Sequence, residues 1–209
     1  MKAIVNTIPG YRVYEYLLVL SPHEELWNKV MEIKKRFAHE YKWEQAVRGR
    51  PYLALVNFMQ YEMMEKRIAG RLKTIAMGQY PFKTELKNFG SFPSHTIYVS
   101  VATKLPIQAL VKGIRRDAQR LMKLSDHNKP HFILEPHLTI ARKLKPSQYE
   151  KAWLEYRHKN FTGRFIASGM TLLKRPAGIP GDQRIKYYPV ERFEFQNLPV
   201  LTRQGELFG

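Results

Sequence analysis

One short run, Pro-His-Leu-Thr-Ile at residues 136–140, places a histidine and a threonine two positions apart in a stretch that reads as a strand. Side chains alternate faces along a strand, so His137 and Thr139 point one way while Leu138 and Ile140 point the other. An imidazole can take or give a proton near neutral pH. A hydroxyl beside it can donate a hydrogen bond to developing negative charge. The plain alternative is a polar pair inside the core, satisfied by backbone groups. A second half-site elsewhere in the chain would favour chemistry.

The elements that must position this pair are legible. "YRVYEYLLVL" reads as a strand. "SPHEELWNKVMEIKKRFAHEY" reads as a helix with Ser21 as N-cap, Pro22 at the first helical position, Glu24 closing a capping box, and Leu26, Val30, Ile33 and Phe37 as its apolar stripe. The strand "PYLALVNFMQ" follows, then the helix "MMEKRIAGRLKTIA" with Met64, Ile68, Leu72 and Ile75 on one side. "FKTELKNF" and "HTIYVSV" are strands around a Gly-Ser-Phe-Pro turn. The helix "PIQALVKGIRRDAQRLMK" leads to the strand of His137. A helix "SQYEKAWLEYRHK" comes next, with Ser147 and Glu150 as a capping box, then the strands "RFIASGMTLLK" and "YPVERFEFQ". The loop "RPAGIPGDQRIKYYP" between those last strands is expected to be mobile.

Strand, helix, strand, helix, strand thus occurs twice, with one strand added. Laid on each other, the strings "LVLSPHEELW" and "VATKLPIQAL" match, as do "RPYLALVNF" and "EPHLTIARK". Pro51 then falls on Pro136, Tyr52 on His137, Leu53 on Leu138, Ala54 on Thr139 and Leu55 on Ile140. The partner of the His-Thr pair is therefore Tyr52 and Ala54. No composition shift marks an interdomain linker, so residues 1–209 are expected to form one α+β domain of two related lobes.

Composition narrows the partners. The 209 residues carry 35 Lys and Arg against 18 Asp and Glu, a formal net charge of +17. Such an excess favours RNA, DNA or another polyanion, the alternative being a basic surface with no nucleic-acid role. Cysteine is absent, which excludes disulfides and thiolate metal sites. The N-terminal residues lack the apolar core of a signal peptide, and no stretch approaches the roughly 18 apolar residues of a membrane span. A cytoplasmic monomer without membrane contact is the expectation.

The Pro-His-Leu-Thr-Ile strand, the duplicated element order and the basic chain together resemble the 2H phosphoesterase superfamily. That group includes the 2′-5′ RNA ligases, or RNA 2′,3′-cyclic phosphodiesterases. The resemblance spans most of residues 11–196. It implies a two-lobed fold with antiparallel sheets around a central cleft and helices outside. It also implies a His-x-Thr or His-x-Ser motif in each lobe, a metal-free and cofactor-free mechanism, and RNA or a nucleotide phosphodiester as partner. One imidazole serves as base on the attacking oxygen, the other as acid on the leaving oxygen, and the hydroxyls donate to non-bridging phosphate oxygens. This chain departs from that pattern: His137 and Thr139 form one motif, and Tyr52 and Ala54 replace the other. A phenol of ordinary pKa ~10 is no base at neutral pH, though it can donate a hydrogen bond. Two readings follow: an impaired phosphodiesterase or ligase, or a protein that binds RNA or a phosphorylated ligand without turnover. A basic protein-interaction module is a third.

Arg50, just before the Tyr52 strand, and Arg142 and Lys143, at the end of the His137 strand, are candidate phosphate contacts; the plain alternative for each is a solvated surface charge. His95, followed by Thr96, imitates the motif, but adjacent residues face opposite sides of a strand. It is expected at the cleft rim or in a structural role. His131 and His137, six residues apart, could share a strand face, but no acidic partner stands at ligand spacing, so no metal site is expected. Among Tyr80, Phe82, Phe89 and Phe92, one or two could stack on a base while the others pack the core. The basic face of "KGIRRDAQR" reads as a solvated helix surface.

Overall fold

The computed structural model describes residues 10–177 and 186–198. Its elements run β1 (Val13–Leu20), α1 (Glu24–Glu40), β2 (Leu53–Tyr61), α2 (Glu65–Met77), β3 (Phe82–Phe92), β4 (Thr96–Val101) and α3 (Lys104–Met122). They continue with β5 (His131–Phe132), β6 (His137–Arg142), α4 (Pro146–Tyr156), β7 (Thr162–Ala167), β8 (Gly169–Pro176) and β9 (Tyr188–Glu194). A 3-10 turn at Glu44–Val47 joins α1 to β2.

Two antiparallel sheets form the two lobes. One has the order β5-β2-β1-β8-β9, the other β6-β4-β3-β7. Without the short β5, the neighbour order of one sheet repeats in the other, with β2 standing where β6 stands and β1 where β4 stands. The inward side chains explain the helices: Leu18, Leu20, Leu53 and Leu55 in one sheet, and Leu138 and Ile140 in the other, are almost fully shielded from water. Each such side chain contributes roughly 1.5–3 kcal/mol on burial. α2 and α3 cover the first sheet, and α1 and α4 cover the second. The strands β2 and β6 lie beside each other where the lobes meet.

The duplication is written into the strand registers. Between β1 and β2, Leu18 pairs with Val56 and Val19 with Ala54, so Leu55 is skipped. Between β4 and β6, Ile97 pairs with Ala141 and Tyr98 with Thr139, so Ile140 is skipped. A β-bulge therefore sits at equivalent positions of the two motif strands. The same pairing sets Leu18, Val19 and Leu20 against Ile97, Tyr98 and Val99. In the string match those three fell on residues 101–103, four positions further along.

Several expectations need correction. The helix α1 begins at Glu24 with His23 as its cap and no side-chain capping bond, so Ser21 and Pro22 stand outside it. Glu24 and Glu25 instead place negative charge on the first turn, where the helix dipole favours it. In α4 the Ser147–Glu150 box does not form; the Gln148 amide oxygen accepts from the Lys145 backbone N–H at 3.2 Å. The run "RFIASGMTLLK" is two strands, β7 in one sheet and β8 in the other, with the chain crossing between lobes at Ser168. Gly169 permits the crossing, because a Cβ there would stand 2.6 Å from the Phe193 carbonyl oxygen. His131 lies in β5 and His137 in β6, in different sheets, so they share no strand face. Residues 178–185 of the "RPAGIPGDQRIKYYP" loop lie outside the described residues.

Candidate functional site

On β6, burial alternates as the motif requires: His137 and Thr139 are half-buried, while Leu138 and Ile140 are buried. The bulge then shifts the alternation by one. Ala141 is buried and Arg142 returns to the open side with His137 and Thr139. On β2 the equivalent pattern holds: Tyr52, Ala54 and Asn57 are half-buried, and Leu53, Leu55 and Val56 are buried.

His137 is held in one tautomer. Its Nδ1 lies 2.9 Å from the Glu135 carbonyl oxygen, which can only accept, so Nδ1 carries the proton and Nε2 keeps its lone pair. Burial pulls the imidazole pKa below its ordinary value, and the contact with Glu135 opposes that only in part. The ring stands against Phe92 and Tyr98, with centroids 4.9 Å and 5.0 Å away. Tyr98 and Ser100 are the cross-strand partners of Thr139 and His137. Gly90 on β3 makes room for that wall, since a Cβ there would stand 2.5 Å from the Tyr98 ring. The Thr139 hydroxyl has no hydrogen-bond partner among the described residues, which leaves it available to a ligand.

Across the lobe boundary, burial pushes the Tyr52 phenol above its ordinary pKa, and the nearby positive charges of Arg142 and Arg175 pull against that shift. Its hydroxyl makes no hydrogen bond among the described residues. Beside it, the Arg175 guanidinium is 2.5 Å from Glu15 Oε2 and lies 4.7 Å from the Tyr187 ring centroid. Asn57 donates to Glu15 at 2.9 Å. The Arg142 guanidinium has no ion-pair partner among the described residues, although its carbonyl accepts from the Trp43 indole at 3.2 Å. Arg142, on the motif strand β6, thus acts electrostatically on Tyr52 of the other half-site.

The other candidates fall on the margins. His95 is exposed and precedes β4, with Nδ1 2.6 Å from the Thr96 hydroxyl and its carbonyl accepting from Leu144 at 3.0 Å. Thr96 pairs with Arg142, whereas His137 pairs with Ser100, so His95 lies about 16 Å along β4 from the level of His137. His95 thus stands just beyond the start of β4, its ring bonded to the neighbouring Thr96. Arg50 and Lys143 are exposed residues flanking β2 and β6. Of the aromatic candidates, Phe92 enters the site, Phe82 stacks on Phe195 in the core, Phe89 packs on Tyr156 and Phe161 away from His137, and Tyr80 is exposed. Among the described residues no group of three or more His, Asp or Glu side chains could hold a metal ion. No helix among them is long and apolar enough to cross a membrane.

Tyr98, Ser100, Arg175 and Tyr187 escape the sequence reading. The alternation Tyr98-x-Ser100 in a strand adjacent to the motif is a usable signal. Nothing local distinguishes Arg175 or Tyr187, because they reach the site only through the crossing at Ser168.

A family model described as the 2′-5′ RNA ligase superfamily matches residues 22–178. The chain belongs to the 2′-5′ RNA ligase superfamily, among the 2H phosphoesterases. Solved structures agree with that superfamily's fold. TT0787 of Thermus thermophilus aligns at a TM-score of 0.59 and 14% identity, covering 87% of this chain and 98% of that chain. E. coli LigT complexed with 3′-AMP aligns at 0.56 and 16%, covering 88% and 98%. E. coli LigT complexed with phosphate aligns at 0.54 and 14%, again covering 88% and 98%. No curated protein matches this superfamily member in sequence.

Proposed function

We propose that this 2H phosphoesterase acts on RNA ends or nucleotides carrying 2′,3′-cyclic or 2′-5′ phosphodiester groups, with His137 as general base and turnover slowed by the altered first half-site. The observation that carries the reading is the fixed tautomer of His137. A neutral imidazole with Nε2 basic stands on the same strand face as a free hydroxyl, Thr139, and an unpaired guanidinium, Arg142.

The step follows from those groups. Nε2 of His137 takes a proton from the attacking water as its oxygen bonds to phosphorus. Thr139 and Arg142 donate to the non-bridging oxygens, where charge builds. A bond from phosphorus to one ribose oxygen breaks, and that oxygen takes a proton from the Tyr52 phenol. Each proton passes through a side chain, so the step asks for no metal. A neutral, buried phenol is a weaker acid than an imidazolium, which is the physical reason for slow turnover.

A second reading is supported by Tyr52 and Ala54: a protein that binds an RNA end or phosphorylated ligand without turning it over. Hydrolysis of a nucleoside 2′,3′-cyclic phosphate by the wild type and by His137→Ala, in a chelator, decides between them. Turnover lost in the variant supports the enzyme; absent turnover with retained binding supports the second reading.

A further inference from the structure

Positive charge is unevenly divided between the two lobes. Over the first sheet, α2 carries four Lys and Arg against one acidic residue, and α3 carries five against one. Over the second sheet, α1 carries four Lys and Arg against four Glu, and α4 one Lys against two Glu. The lobes repeat one architecture, so packing does not require the excess on α2 and α3.

Four arginines gather where those two helices meet. Period turns Ile68, Leu72 and Ala76 of α2, and Ile107, Ile114 and Ala118 of α3, into the core. Residues four apart share a helix face, so Arg67 stands with Arg71 and Arg116 with Arg120, all four exposed. Asp117 marks the seam. Arg116 clamps its two oxygens at 2.7 Å and 2.8 Å, and the Arg71 charge acts on it from α2. Arg67, Arg71 and Arg120 pair with no carboxylate among the described residues.

The chemistry of this groove points to phosphates in a row. A guanidinium fork matches phosphate oxygens two at a time. Neighbouring arginines stand about 6 Å apart along each helix, so one phosphate cannot engage all four, whereas a chain of phosphates can. Gly70 and Gly113 flank the arginines, and a Cβ at either would meet nothing within 4 Å. A mid-helix glycine weakens a helix, and no neighbour requires these two. Their bare backbone lets a bulky chain lie close. Leu105, in the first turn of α3, is the one exposed large apolar side chain on either helix, so neither offers the outward apolar face of a helix that lies in a membrane.

We propose that the arginine-lined groove between α2 and α3 binds the phosphate backbone of an RNA chain, at a place separate from the cleft. The helices cover the side of β2 that carries Leu53 and Leu55, whereas Tyr52 and Ala54 face the other way. A nucleotide in the cleft therefore has the first sheet between itself and these arginines. The partner is a polymer, which goes beyond the reading of the cleft; that the polymer is RNA rests on that reading.

The test measures Kd for an RNA hairpin lacking a cyclic phosphate, at several salt concentrations. The proteins are the wild type, Arg67→Gln with Arg71→Gln, Arg116→Gln with Arg120→Gln, and His137→Ala. A charge control, Lys35→Gln with Arg36→Gln, removes two exposed cations from α1. Glutamine is a good helix former, so the exposed changes should keep the fold. Each arginine pair should weaken hairpin binding by about tenfold or more and lower the log-log salt slope by about two. The control pair and His137→Ala should bind the hairpin as the wild type does. Binding of a nucleoside 2′,3′-cyclic phosphate should be unchanged in both arginine pairs. A wild type that ignores the hairpin at low salt, arginine pairs that keep full affinity, or an equal loss in the control pair overturns the proposal. So does hairpin binding that survives while the arginine pairs lose binding to anionic lipid vesicles. Hairpin binding through these arginines in a protein without turnover would remove the catalytic reading and leave the groove standing.

Discussion

Leu55 of β2 and Ile140 of β6 are the skipped residues of their strands, each unpaired at the same point relative to the motif. That shared bulge ties Tyr52 and Ala54 to His137 and Thr139 more firmly than a string match can. A bulge shifts the alternation of the strand, and the two strands shift at the same place. Asn57 and Arg142, the next outward residues, therefore become equivalents too.

Because the backbone of the first half-site has kept its bulge, rebuilding its side chains should restore function. The double change Tyr52→His and Ala54→Thr is expected to raise hydrolysis of a nucleoside 2′,3′-cyclic phosphate by about 10²-fold, the lower range for one positioned acid. Steady-state rates check this, and adding His137→Ala should cancel the gain.

Lys34 predicts how stability depends on pH. Burial lowers its folded pKa to about 8, below the unfolded value of 10.5, so the unfolded chain holds more protons between those limits. Stability should therefore rise with pH across that window, the reverse of the loss seen when a lysine gains a partner. Denaturant unfolding at pH 7.5 and 9.5 should show the rise. Lys34→Met should remove it and stabilise the protein at pH 7 by up to about 3 kcal/mol.

Arg142 should leave a signature in salt. Affinity for a short RNA is expected to fall as salt increases, through release of counterions. Arg142→Gln should reduce the log-log slope by about one, since one phosphate contact is lost. Anisotropy titrations at several ionic strengths measure it. An unchanged slope would remove Arg142 from the interface.

Gly90 should tolerate no side chain. Gly90→Ala would drive a methyl against Tyr98, whose ring walls His137. A cost of about 1–3 kcal/mol is expected from the overpacking, with a fall in turnover larger than the stability loss explains. Thermal unfolding and rates on the same preparation separate the two effects.

Much of this arrangement is legible in the amino-acid sequence. Alternation alone places Leu138 and Ile140 in the core and His137 and Thr139 outside it, and the repeat names Tyr52 as their counterpart. Helix stripes are legible for the same reason, since burial follows period. The helix caps are not, because Ser21 and Glu24 satisfy a local pattern that the chain's route out of β1 overrides. Nor is the break at Ser168, where an uninterrupted β-forming string changes sheets. Bulges leave no mark in composition, so the return of Arg142 to the His137 face cannot be read. In sequence Lys34 is one more polar position on α1, and only packing shows that it is covered.

The central claim is that His137 acts as a neutral base through Nε2, and the pH dependence of turnover tests it most directly. With its pKa held below the ordinary 6.5 by burial, the rate on a nucleoside 2′,3′-cyclic phosphate should be level near neutrality and fall on the acid side, with its midpoint below that value. His137→Ala should lose at least about 10²-fold in rate together with that acid limb. A variant that keeps the wild-type rate, or a wild-type rate that does not fall with acid, would contradict the account.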